Sequence, residues 1–273
     1  VIAPYRVDTA IAQGADEQQA RATQPGASPH DVVRSAVAPS TATAHKCENF
    51  GVLIQIYGLT TPNDAHDVDR LGPDLIGVVL DEGFDTWDSV DVDTVREITA
   101  QITQARTVSL SLSTDPQRIL STARTVGADV VHVVHAIDID EGTLDGIRNL
   151  VAPAQLMLTV PVSGDESVGT ALRLANSADY LLLDTVHPDS GVIGASGLSH
   201  DWAVSADIVQ AVEIPVLLAG GLGPHNVSEA ITMVHPAGVD SETRTSHDHD
   251  RRRKDLSKVE QFIALARTNS SLG

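Results

Sequence analysis

Apolar runs of strand length recur along the chain at Val52–Ile56, Leu75–Leu80, Thr107–Leu112, Val130–Val134, Gln155–Val160, Tyr180–Leu183, Pro215–Ala219 and Ala237–Val239. Between them the apolar residues fall at helical spacing. Examples are Ala65, Val68 and Leu71; Val92, Val95, Ile98 and Ile102; Ile119, Leu120, Ala123 and Val126; and Val227, Ala230, Ile231 and Val234. A last helix is predicted over about Leu256–Ala266. Runs that are apolar at successive positions suit strands buried on both faces, which parallel sheets require, and the helical stretches supply the crossovers. Eight such units in about 220 residues predict an α/β fold of the (β/α)8 TIM barrel type. An open doubly wound sheet is the alternative, but evenly spaced units suit closure better. No GxGxxG follows the first strand, which removes the usual dinucleotide signal, and no cofactor is expected.

Residues 1–49 differ from the rest. They run through Ala, Thr, Gln, Ser and Pro without a sustained apolar period, and are read as a low-complexity, disordered or weakly helical extension ahead of a barrel spanning 50–273. Cys47, the single cysteine, excludes a disulfide framework and reads as an idle thiol.

Charge narrows the partners. The chain of 273 residues carries a net charge of −19, from 27 aspartates and 10 glutamates against 15 arginines and three lysines. Phosphate neutralisation of a nucleic acid is thereby excluded. No apolar run approaches the ~18–20 residues of a membrane span, and no basic-then-apolar leader is present, so a cytoplasmic protein without membrane or nucleic-acid partners is expected. Short carboxylates spread along the whole chain, few lysines and 3 % aromatics read as a surface adapted to high salt, where screening shortens to ~3 Å at 1 M.

In a barrel of this kind chemistry sits on the loops after the C-terminal strand ends. Those ends give Tyr57, Asp81, Ser111, His135, Asp184, Gly220-Gly221 and Asp240. The tract Ser246-His247-Asp248-His249-Asp250-Arg251-Arg252-Arg253-Lys254 has a possible divalent-metal reading, but alternate residues of a loop rarely make a rigid site. It is read as a solvated loop whose four bases could lend charge to a phosphate, and no metal site is expected.

Three stretches carry a resemblance. Leu181-Leu182-Leu183-Asp184-Thr185, followed by Gly194-Ala195-Ser196-Gly197 and Asp201-Trp202, resembles the sixth strand, glycine loop and helix start of phosphoribosylanthranilate isomerase, the barrel enzyme of tryptophan biosynthesis. Leu218-Ala219-Gly220-Gly221-Leu222-Gly223-Pro224-His225-Asn226-Val227 resembles its seventh strand and phosphate loop, and Ile56-Tyr57-Gly58-Leu59-Thr60 its first strand. The likeness runs in order over about residues 52–268.

The resemblance implies an Amadori rearrangement of a phosphoribosyl amine, with a small phosphorylated sugar as substrate and a monomer or homodimer as the working form. The family acid maps to Asp184 and the family base, a cysteine, to Tyr57. Gly220, Gly221, Asp240, His135, Gly194 and Ser196 map to the substrate and phosphate pocket. Three family features are altered besides the base: the arginine after strand two has no match in Asp81–Asp88, the strand-four motif Gln-Leu-His-Gly reads Val133-Val134-His135-Ala136, and the strand-eight motif reads Val239-Asp240-Ser241-Glu242-Thr243-Arg244. Tyrosine has a reference pKa of ~10 against ~8.5 for a thiol, so Tyr57 is either a hydrogen-bonding pocket residue or a base only with strong help. Asp81 is a possible substitute base. A non-catalytic phosphate-binding paralogue and a different sugar-phosphate enzyme on the same barrel are the alternative functions.

Overall fold

The computed structural model describes residues 51–84, 86–186, 193–194 and 200–269. Cys47 and the 1–49 extension lie outside the described residues, as do Gly191, Ser196 and Gly197.

Eight parallel strands close into a barrel in chain order. They are β1 (Leu53–Ile56), β2 (Leu75–Val79), β3 (Arg106–Ser111), β4 (Val130–Val133), β5 (Gln155–Val162), β6 (Tyr180–Thr185), β7 (Val216–Leu218) and β8 (Gly238–Ser241). The crossover helices are α1 (Pro62–Arg70), α2 (Val92–Thr99), α3 (Pro116–Val126), α4 (Glu141–Val151), α5 (Glu166–Ala175), α6 (Trp202–Ala211) and α7 (Val227–Val234), with α8 (Leu256–Asn269) closing the ring. The open-sheet alternative is excluded by the pairing of β1 with β8, in which Leu53, Ile54, Gln55 and Ile56 stand opposite Gly238, Val239, Asp240 and Ser241.

Strand alternation divides the apolar residues between two cores. Ile54, Ile56, Ile76, Val78, Val131, Val133, Leu181 and Leu183 face the helices. Leu75, Val79, Val108, Val130, Met157, Leu182 and Leu217 fill the barrel interior, joined by the rings of Tyr57 and Tyr180. Each buried aliphatic side chain contributes about 1.5–3 kcal/mol of transfer free energy. Towards the N-terminal ends of the strands Arg106 fills the interior, its guanidinium donating to Gln155 Oε1 at 2.6 Å and lying 5.8 Å from the Tyr180 ring centroid.

Many aspartates have structural roles. Asp91, Asp115, Asp140 and Asp201 cap α2, α3, α4 and α6 by accepting first-turn amides. Asp74, Asp129 and Asp179 precede β2, β4 and β6, and their carboxylates accept the amides of Ile54, Thr107 and Leu156 on the preceding strand at 2.7, 2.9 and 2.8 Å. Their own amides donate back to the carbonyls of the same three residues. Backbone groups at the strand starts are thus satisfied by a repeated device, every second strand.

The tract after β8 is exposed over 247–253, as expected from its sequence, but it is not a loop. It forms a two-stranded antiparallel hairpin, β9 (Ser246–His247) and β10 (Asp250–Lys254). Arg251 stacks over Trp87 at 4.4 Å, Arg252 donates to the carbonyls of Trp87 and Ser89, and Arg253 pairs with Asp64 on α1 at 2.8 Å. No helix among the described residues is long and apolar enough to cross a membrane.

Candidate functional site at the barrel mouth

Asp184, the penultimate residue of β6, projects from the interior face at the C-terminal mouth and is half-buried. Its Oδ1 accepts the Thr185 amide at 2.7 Å. The chain returning from the β6 loop crosses directly over it, through an antiparallel bridge between Val186 and Ile193 and a bond from Gly194 N to Thr185 O of 2.9 Å. Gly194 has φ +75°, and a Cβ there would lie 2.4 Å from Asp184 Oδ2. Glycine permits that approach. Burial pushes the Asp184 carboxyl up to about 7, opposed only by the Thr185 amide.

Asp240, on the interior face of β8, shares the mouth. The fully buried Gln55, its register partner on β1, donates Nε2–H to Asp240 Oδ1 at 3.0 Å. Burial pushes Asp240 to about 7; the Gln55 bond and the Lys254 charge oppose this, and the Asp184 charge reinforces it.

The β7 loop carries the glycine pair expected from the sequence to face a phosphate. Gly220 and Gly221 are both left-handed, at φ +79° and +66°. A Cβ on Gly220 would stand 2.3 Å from Thr185 Oγ1 and 3.0 Å from His200 Nδ1. Asn226 braces the loop from within, its Oδ1 accepting Gly223 N–H at 2.9 Å and its Nδ2–H reaching the Gly221 carbonyl at 3.2 Å. The loop leads into the N-terminus of α7, whose positive end favours an anion.

Tyr57 corrects an expectation. Its ring turns inward over Gly77 of β2, and its hydroxyl meets His132 Nδ1 at 3.2 Å. His132 Nε2 continues to Thr159 Oγ1 at 2.7 Å. Burial pushes the phenol well above 10, reinforced by the charges of Asp240, Glu242 and Asp88, so Tyr57 stays protonated and is the wrong species for a base. Burial likewise brings His132 down to about 3, leaving it neutral. Its hydroxyl is engaged with His132 inside the barrel.

The other strand-end residues divide. His135 lies half-buried at the start of the turn after β4, and the histidine inside the barrel is His132. Asp81 is exposed and turned to the Gly83 amide at 2.7 Å, away from a base's role. Ser111 donates to Glu82, a contact that ties the end of β3 to the β2–α2 loop. The basic tract does not reach the glycine pair, since Arg251, Arg252 and Arg253 are engaged at α1 and the β2–α2 loop. The basic residue against the glycine loop is Arg244, whose Cβ would be 2.7 Å from one on Gly223.

Sequence reasoning gave no role to Glu242 or His200 and read Lys254 only as one of four loop bases. Lys254 is buried, with Nζ donating to the Glu242 carbonyl at 2.9 Å and Ser246 Oγ at 3.1 Å. Burial brings it down to about 8 against the pull of Glu242, Asp240 and Asp88. Burial and the neighbouring Asp88 push Glu242 above the ordinary carboxylate range. His200 links Thr185 Oγ1 to Ser205 Oγ, at 3.0 and 2.7 Å. Among the described residues no group of three or more His, Cys, Asp or Glu could hold a metal ion.

The arrangement sets two carboxyls with raised pKa values at the barrel mouth near the left-handed glycines of the β7 loop, groups suited to proton transfer. Residues 60–264 match the family model of N-(5'-phosphoribosyl)anthranilate (PRA) isomerase. The chain is 35 % identical over 218 residues to N-(5'-phosphoribosyl)anthranilate isomerase of Haloferax volcanii, covering 79 % of this chain and 93 % of that one. The phosphoribosyl anthranilate isomerase structure of Thermococcus kodakaraensis is similar with a TM-score of 0.63 and 27 % identity, over 79 % of this chain and 99 % of that one. A third, an isomerase solved in complex with reduced 1-(o-carboxyphenylamino)-1-deoxyribulose 5-phosphate, gives a TM-score of 0.64 at 23 % identity, over 80 % and 99 %. Closed barrel, mouth carboxyls, glycine loop and these likenesses agree, and the chain belongs to the N-(5'-phosphoribosyl)anthranilate isomerase family.

Proposed function

We propose that this chain isomerises N-(5'-phosphoribosyl)anthranilate to the corresponding 1-deoxyribulose 5-phosphate in tryptophan biosynthesis, with Asp184 as the acid that opens the ribose ring. The observation that carries the role of Asp184 is its carboxyl: set in the mouth beneath Gly194, it is pushed up to about 7 and so retains a proton near neutrality. Protonating the ring oxygen breaks the C1–O bond, while the amine nitrogen's lone pair forms the C1=N bond of an open-chain iminium. Loss of the C2 proton then gives an enolamine, which becomes the ketone as a proton passes from O2 to C1. The reaction is redox-neutral overall.

The amides about Gly220 and Gly221, with the start of α7, would hold the 5'-phosphate. Ser196 and the rest of the β6 loop remain part of the proposed pocket by family likeness, and His135 a candidate at its rim. Fluorescence of the anthranilate group follows the conversion directly. Turnover by the wild type that falls ~10²–10⁴-fold in Asp184→Asn, with the reduced deoxyribulose phosphate still bound, is the expected result. Growth of an isomerase-lacking tryptophan auxotroph on the wild-type gene, and not on the Asp184→Asn gene, is expected in parallel. A wild type with neither turnover nor complementation overturns the proposal.

A further inference from the structure

We propose that Asp240 is the base of this isomerisation, acting with Asp184 as a two-carboxyl acid–base pair, and that the phenol at the end of the first strand takes no part in proton transfer. The inference rests on the function proposed above.

Position comes first. Asp240 stands on the interior face of β8 opposite Gln55 of β1, and the next residue, Ser241, accepts the Tyr57 amide at 3.0 Å. Asp240 therefore stands level with Gln55, one inward-facing position below Tyr57 on the neighbouring strand. The Tyr57 side chain turns inward, with its ring over Gly77 and its hydroxyl on His132.

Orientation comes second. Gln55 is fully buried and turns its NH2 to Asp240 Oδ1, leaving its own Oε1 buried without a partner. An orphaned amide oxygen costs about 1–3 kcal/mol. An arrangement that accepts this cost to present a donor favours an ionised acceptor. Asp240 Oδ2 takes no hydrogen bond from the described residues, so one oxygen is anchored and the other is available to substrate.

Alternatives at the mouth are committed elsewhere. Asp81 is exposed on its own turn, and Glu242 lies against the Asp88 carboxyl, which with burial pushes it above the ordinary carboxylate range. Burial pushes both carboxyls of the proposed pair, Asp184 and Asp240, up to about 7, and the Asp184 charge adds to the rise at Asp240. One carboxyl protonated and the other ionised is the state that acid–base catalysis needs.

The protons balance. Asp184 gives its proton to the ring oxygen and becomes a carboxylate. Asp240 takes the proton from C2, and the C2–H electron pair becomes the C1=C2 bond while the iminium electrons return to nitrogen. As the enolamine becomes the ketone, O2–H gives its proton to Asp184 and C1 takes one from Asp240, which restores both carboxyls.

The test uses the full chain, phosphoribosylanthranilate as substrate, and kcat, KM and pH profiles. Asp240→Asn is expected to lose kcat at least a hundredfold with KM within about threefold, Asp240→Glu to recover part of it, and Tyr57→Phe to stay within tenfold of wild type. Gln55→Leu, which leaves the base in place but removes its donor, is expected to move the acid limb of the kcat profile upward by about half a unit to one unit. That readout stands even if Asp240→Asn does not fold. Tyr57→Phe falling as far as Asp240→Asn, a folded Asp240→Asn within tenfold of wild type, or an unmoved acid limb in Gln55→Leu would each overturn the assignment of Asp240. An inactive wild type instead overturns the function on which it rests.

Discussion

The ring of Tyr57 occupies the space that a side chain on Gly77 would need: a Cβ there would lie 2.5 Å from the ring's Cδ1. Gly77 faces inward between Leu75 and Val79 of β2, so the ring crosses from the first strand onto the second and ends on His132 of the fourth. A phenol at this strand end is compatible with a packed barrel because β2 gives way beneath it.

Gly77→Ala is accordingly expected to destabilise the barrel by about 1–3 kcal/mol, the usual cost of overpacking a core. The denaturant midpoint measures it. In a Tyr57→Ala background the same substitution should cost much less, because its clashing partner is gone. An equal cost in both backgrounds would show that the ring is not what fills the space.

Asp240 makes a stability prediction independent of activity. Its folded-state value of about 7 lies above the ordinary carboxylate value of 3.8. Between these values the native state binds more protons than the unfolded chain, so stability falls as pH rises. Asn resembles the protonated carboxyl and removes that penalty. Asp240→Asn should therefore gain stability over wild type at pH 8, by up to a few kcal/mol, and the gain should shrink towards pH 4. Chemical unfolding at the two pH values checks this, and a gain that does not depend on pH would contradict it.

The barrel was legible because its strands are buried on both faces and therefore read as apolar runs. The strand ends then pointed to Asp184, Asp240 and the Gly220-Gly221 pair. Alternation within β4 also carried a signal: with Val130 inside, His132 must be inside too, and His135 lies beyond the strand. Gln55, polar within the apolar first run, was a similar mark. Side-chain direction across strands was not legible. Nothing local to Tyr57 announces that Gly77 makes room for it. The contacts of the exposed arginine tract were not legible because its partners, Asp64, Trp87 and Ser89, come from distant parts of the chain.

Salt dependence follows from the net charge of −19. Unscreened, the surplus carboxylates repel one another, and at molar salt the screening length shortens to ~3 Å. The melting temperature should rise steadily from low to molar potassium chloride. Helix-cap carboxylates such as Asp91 and Asp140, held below the usual range by Thr94 and Thr143, gain from their bonds whatever the salt. The rise should therefore come from the remaining surface acids, and a transition indifferent to ionic strength would remove the halophilic reading.

Gly220 separates phosphate binding from proton transfer. Its φ of +79° disfavours any L side chain, and an added Cβ would strike Thr185 Oγ1 at 2.3 Å and press on His200 Nδ1 at 3.0 Å. Gly220→Ala must therefore shift either the loop or the Thr185–His200–Ser205 chain that supports it. If the loop amides hold the 5'-phosphate, KM should rise at least tenfold, about 1.4 kcal/mol, and binding of the reduced deoxyribulose phosphate should weaken in step. The kcat value should fall less than in Asp184→Asn, because the mouth carboxyls are left in place. Calorimetric titration with the reduced product and steady-state kinetics give the two readings. A Gly220→Ala protein that binds the ligand as tightly as wild type would move the phosphate site away from this loop.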